Sequence, residues 1–165
     1  MADAEWSNWM NFYVATAGAA AALTGLVFVS LSINLNRILA MPGVATRAGE
    51  AIALLGLALL VSLQSLIPKQ TLESLGWEVA PAALAAWILP LMVQWRALRH
   101  GHYKRYIHVI VRAGLHQAST LPILFASYLL MQGHADARYW LARGILLTLV
   151  AGMLSAWVLL VEVVR

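Results

Sequence analysis

Five basic residues near the middle of the chain stand four apart: His100, Lys104, His108, Arg112 and His116. Gly101 interrupts any helix at the start of this series. From Lys104 onward the spacing places four basic groups on one helical face. Such a ladder can bind lipid phosphates, draw anions toward a vestibule or respond to pH through its imidazoles. Ordinary membrane-flanking charge with snorkelling side chains accounts for the same residues. Lys104, His108, Arg112 and His116 are accordingly the candidates for an anion or lipid-headgroup site. His116 is the only histidine that falls inside an apolar run. An imidazole there can ligate a haem or metal, carry a proton, or donate a hydrogen bond to a neighbour. Haem ligation usually wants a second axial residue, and no other apolar run offers a histidine. A structural hydrogen bond is the expectation, with no cofactor and no metal.

A second constellation lies within residues 12–36. The segment ATAGAAAA (15–22) contains only small residues, and Gly18, Ala22, Gly25, Val29, Ser32 and Asn36 follow with alternating spacings of four and three. That spacing draws one seam along a helix. Small seams let backbones approach closely in lipid, where packing replaces the hydrophobic drive. Gly18, Ala22, Gly25 and Ser32 form the expected packing seam. Thr16, Thr24, Ser30 and Asn34 mark the opposite side. Both faces suit lipid poorly, which predicts a central helix or one at a subunit contact. Thr24, Ser30, Asn34 and Asn36 are candidates for lining a wet path. Alternatively, the hydroxyls bond to carbonyls four residues back and the asparagines lie at the cytoplasmic end. Two further seams run through Ala51, Ala58, Ser62 and Ser65 (with Gln64 beside them) and through Gly144, Thr148, Gly152 and Ser155. Packing between helices is their simplest role.

The elements that must position these residues are five apolar runs, at 12–36, 51–67, 79–95, 113–133 and 144–161, without a single Asp, Glu, Lys or Arg. At about 1.5 Å per residue such runs match the hydrocarbon thickness of a bilayer. Lipid offers no hydrogen bonds, so helix is the natural solution. Hydrophobic residues make up 62% of the 165 and charged residues 11%, too few to cover a soluble surface against the roughly 25% of ordinary domains. The prediction is an all-α, polytopic transmembrane bundle: one domain of five spans near 12–36, 51–67, 79–98, 113–133 and 144–161.

Local signals refine the boundaries. Met41-Pro42-Gly43 stops the first helix. Thr46 is the expected cap of the second, with Glu50 in its first turn. Pro68 ends that helix, and residues 70–76 are expected to form one interfacial turn. Pro81 falls near the start of the third helix. Pro90 and Pro122 lie deeper and predict kinks. Asp136 is the expected cap of the last helix. Met1 to Trp9 is acidic and aromatic, unlike a cleaved signal, so the first run is read as a retained helix.

The net charge of +4 is no nucleic-acid signature, because the basic residues cluster beside the runs. Eight of the eleven Lys and Arg fall in the first loop, the third loop and the tail, against three elsewhere. The positive-inside rule then puts the N-terminus outside and the C-terminus in the cytoplasm. Trp6, Trp9, Trp77 and Trp140 fall at the outer interface, and Trp95, Tyr103 and Tyr106 at the inner one. No carboxylate lies within a run, which weighs against a carboxylate-driven pump. Cysteine is absent, and no Walker loop, dinucleotide motif, metalloprotease motif or nucleophile elbow is present. The chain does not read as an enzyme.

After its acidic, Trp-rich start, the stretch AAAALTGLVFVSLSINL (19–35) resembles small uncharacterised bacterial integral membrane proteins, some loosely labelled protease modulators. The resemblance implies a bacterial inner-membrane location and brings no catalytic residues. Two functions are open on these residues. One is a homo-oligomer forming an ion or small-solute pathway, biased toward anions by its basic inner segment. The other is an accessory or regulatory subunit of a larger membrane complex or protease. Membrane lipids are partners in both.

Overall fold

The computed structural model describes residues 2–41, 43–99 and 106–164, with side chains over 8–41, 43–96 and 111–161. Among the described residues, six helices follow one another: α1 (Ala2–Ile33), α2 (Leu35–Ala40), α3 (Val44–Gln64), α4 (Leu72–Arg99), α5 (Tyr106–Met131) and α6 (Ala137–Val164). The described residues form no strand. Four helical stretches among the described residues are long and apolar enough to cross a membrane: Asn8–Ile33, Val44–Gln64, Leu72–Arg96 and Ala137–Val161.

The distribution of side chains fits an apolar solvent. Ile33 is 78% exposed, Leu26 69% and Trp157 68%, whereas Ser62, Thr120 and Thr148 are fully buried. In water this would be a large uncovered apolar surface. In lipid it is the expected arrangement, with polar groups turned inward to find partners and aliphatic groups outward.

The chain divides into two compact units, one of residues 1–69 with 148–165 and one of residues 70–147. In the first, α1 packs on α3. Tyr13, Ala17 and Ala20 of α1 are buried, as are Ala51, Leu55, Ala58 and Val61 of α3. The Thr16 and Ser62 hydroxyls share a hydrogen bond of 2.9 Å between the two helices. Gly152 of α6 admits Leu55, whose Cδ2 would lie 2.8 Å from a Cβ there. The expected seams of α3 and α6 are thus used for packing inside the chain. Ile38 of α2, Val44 and Ala48 of α3 and Leu159 of α6 close a smaller cluster.

Several boundaries differ from the sequence expectation. The first helix does not run unbroken through Asn36. The Asn34 side-chain amide donates to the Ser30 carbonyl at 3.0 Å, the acceptor that the Asn34 backbone N–H would take in a regular helix. That N–H turns instead to Leu31 O at 3.2 Å, and the helix breaks before α2. Thr46 does not cap α3, because Gly43 does so at a φ of 82°, a left-handed angle that glycine adopts without strain. Residues 72–76 are the first turn of α4 rather than a separate turn. Thr71 Oγ1 accepts from the Ser74 N–H at 3.1 Å, while Ser74 Oγ accepts from the Thr71 N–H at 3.1 Å, a reciprocal cap. Pro81 therefore lies in the third turn of α4, not near its start.

In the second unit α4 packs on α5. Leu75, Val79 and Ala83 of α4 are buried, as are Ile123, Ala126 and Leu130 of α5 and Leu141 and Ile145 of α6. Close approach is set by glycine. A Cβ on Gly76 would stand 2.7 Å from Met131 N and 2.9 Å from Ser127 O, and one on Gly144 would stand 3.0 Å from Ile123 N. After α5 the chain turns at Gly133, φ 73°. Its N–H bonds Leu130 O at 2.9 Å and the His134 N–H bonds Leu129 O at 3.1 Å, the paired bonds of a glycine-terminated helix. Asp136 immediately precedes α6, as expected of its cap.

Candidate functional site

The basic ladder maps onto α5 in part. Lys104 lies outside the described residues, as does His100. His108 is on the first turns of α5, with its side chain outside the description. Arg112 is half-buried and His116 is 3% exposed. His108, Arg112 and His116 stand at intervals of four on one helix, so they share a face. The His116 ring is engaged: Nε2–H donates to the Ala86 carbonyl of α4 at 2.8 Å. The tautomer follows, since a carbonyl can only accept. The backbone carbonyl of His116 accepts from Ser119 Oγ at 2.8 Å and from Thr120 Oγ1 at 2.9 Å. Among the described residues no three His, Asp or Glu side chains gather as a metal site would require.

Among the described residues, α5 is not one of the four long apolar stretches. His116, Ser119, Thr120 and Ser127 lower its hydropathy, yet each is 3% exposed or less, while Leu115, Leu121 and Phe125 face outward. The exposed side chains of α5 are thus mainly apolar, with Tyr128 among them.

The two sides of α1 are not alike. Gly18, Ala22, Gly25, Val29 and Ser32 are exposed, as is Asn36 on α2. Nothing within 4 Å would meet a Cβ on Gly18 or Gly25. Ser32 Oγ donates to Phe28 O at 2.9 Å. The opposite side is the covered one. Thr24 Oγ1 donates to Ala20 O at 2.7 Å, and Asn34 is half-buried on Ser30 O. Ser30 borders an apolar pocket of about 90 Å³ lined by Leu26, Leu31, Leu159 and Leu160 among others. Of the four path-lining candidates, Thr24 and Ser30 are half-buried on α1, Asn34 is half-buried in the break between α1 and α2, and Asn36 is exposed on α2.

Glu50 was missed as a site residue. Because α3 starts at Val44, Glu50 lies in its second turn, inside a membrane-length helix, and is 8% exposed. The membrane-length stretches thus take in carboxylates that the apolar runs left out, Glu50 here and Glu73 and Glu78 in Leu72–Arg96. A buried carboxylate in such a helix is a functional candidate by its cost alone. The signal was present as spacing, since Glu50, Leu54, Leu57 and Val61 form one buried stripe.

No protein-family model, curated protein or solved structure matches the chain.

Proposed function

We propose that this chain is a small integral membrane protein that assembles with further copies of itself into a pathway for ions or small solutes, with a preference for anions. The observation that carries the reading is the open face of α1. A helix of membrane length presents a line of small residues, Gly18, Ala22, Gly25 and Ser32, that nothing else in its own unit covers. Such a line gives little to lipid and much to a second helix. Around a symmetry axis, repeated small faces leave room for a narrow passage between copies, and Asn36 adds an amide at one mouth. The basic residues Lys104 and Arg112 supply positive potential at the cytoplasmic side, with His108 and His116 sharing the Arg112 face of α5.

The membrane in this reading is a bacterial inner membrane crossed five times, with α5 as the fourth crossing, the N-terminus outside and the C-terminus in the cytoplasm. The inward-turned polar residues of α5 and the excess of Lys and Arg in alternate connections support that path.

Purified protein in liposomes loaded with a chloride-sensitive dye tests the pathway. Chloride entry faster than in protein-free vesicles is expected, and Lys104→Gln with Arg112→Gln should slow it about tenfold, the loss of roughly 1.4 kcal/mol of favourable potential at the mouth. Entry no faster than in empty vesicles contradicts the pathway. Entry unchanged by the double substitution removes the basic segment from it.

A further inference from the structure

Pro90 is buried in the interior of α4. A proline has no N–H, so the carbonyl four residues earlier loses its helical donor. That carbonyl is Ala86 O. In a helix surrounded by lipid and protein, no water stands ready to replace the missing bond, and an unsatisfied carbonyl is costly. Ala86 O is the atom to which His116 of α5 donates, at 2.8 Å.

We infer that His116 and Pro90 are one device: the imidazole supplies from α5 the hydrogen bond that Pro90 removes from α4, and so holds a proline-interrupted helix against its partner. The surroundings fit. His116 is anchored by a backbone carbonyl that takes two hydroxyl donors, and Gln94, one turn beyond Pro90, is also buried. Beyond the bridged turn, α4 continues to Arg99. His116 is therefore a positioning residue for the cytoplasmic part of α4, whatever crosses the membrane. Its Nε2 carries the proton that the carbonyl accepts, and its role is donation rather than ligation.

A double-substitution series on the full chain in detergent tests this. His116→Ala should lower the melting midpoint by about 5 °C, as expected for one buried carbonyl left bare. Pro90→Ala restores an N–H to Ala86 O, so adding His116→Ala in that background should shift the midpoint by less than half as much. Equal losses in both backgrounds would overturn the inference. If His116→Ala alone does not fold, recovery of folded protein on adding Pro90→Ala supports the device and failure to recover it counts against it. Nitrogen NMR of the labelled imidazoles gives a second readout. The signal lost in His116→Ala should be that of an Nε2–H ring, and an Nδ1–H ring there would rule the bond out.

Discussion

Alanine at Gly76 and alanine at Gly56 are expected to change stability in opposite directions. Both glycines lie inside long helices, where alanine is normally the better residue by about 1 kcal/mol. At Gly56 nothing within 4 Å would meet the new methyl group, so the helix preference should act alone and raise the melting midpoint by a few degrees. At Gly76 the methyl would stand 2.7 Å from Met131 N and 2.9 Å from Ser127 O. These are backbone atoms of α5. They cannot swing aside as the end of a side chain can, so α5 must move as a body or α4 must withdraw. Forcing extra volume into a packed contact costs about 1–3 kcal/mol, more than the helix preference returns. Leucine at Gly76 should cost more still and lower the midpoint by roughly 10 °C. Thermal melts of the purified protein in one detergent check both signs. A neutral Gly76→Ala would mean that α4 and α5 do not approach as closely as described.

Leucine at Gly25 is expected to leave the folded chain intact and abolish its assembly. The contrast with Gly76 is physical. Gly76 is covered within its own chain, while Gly25 faces outward with nothing within 4 Å, so a leucine there meets lipid when the protein is a monomer. Between two copies it would hold the backbones apart and forfeit the close contact that small residues allow, a contact with no hydrophobic drive to replace it. Native mass spectrometry from lipid nanodiscs should show an oligomer for the wild type and a monomer for Gly25→Leu, with one melting midpoint for the two chains when dilution in detergent holds both monomeric. An unaltered oligomer counts against the α1 seam as the contact. A lowered midpoint would mean that the face is covered within the chain.

Much of this structure was readable along the chain because lipid imposes simple rules. Apolar runs of membrane length became helices, and the seams at Ala51, Ala58 and Ser62 and at Gly144 and Gly152 are buried against neighbouring side chains. Local chemistry that competes with the helix was harder to see. Asn34 breaks α1 through a single side-chain bond to Ser30 O, although the composition around it is uniformly helical. Gly43 sets the start of α3 before Thr46 can act as a cap, and this one shift of register carries Glu50 into the membrane-length helix. The orientation of α1 was not readable, because periodicity defines two faces without saying which one a partner covers. The bond between His116 and Ala86 O needed both helices: Pro90 and His116 lie 26 positions apart, and only the pairing of α4 with α5 shows that one supplies what the other lacks.

Whether α5 crosses the bilayer decides the whole arrangement, and one labelling experiment addresses it directly. The chain has no cysteine, so a single substitution, His134→Cys, reports the side on which the turn between α5 and α6 lies. Lys69→Cys in the connection before α4 serves as the reference for the outer side. With α5 spanning, a membrane-impermeant maleimide added to intact spheroplasts should label both positions equally. Labelling of the Lys69 variant at once, with the His134 variant labelled only after the membrane is opened, would leave α5 on the cytoplasmic side and contradict the five-crossing path.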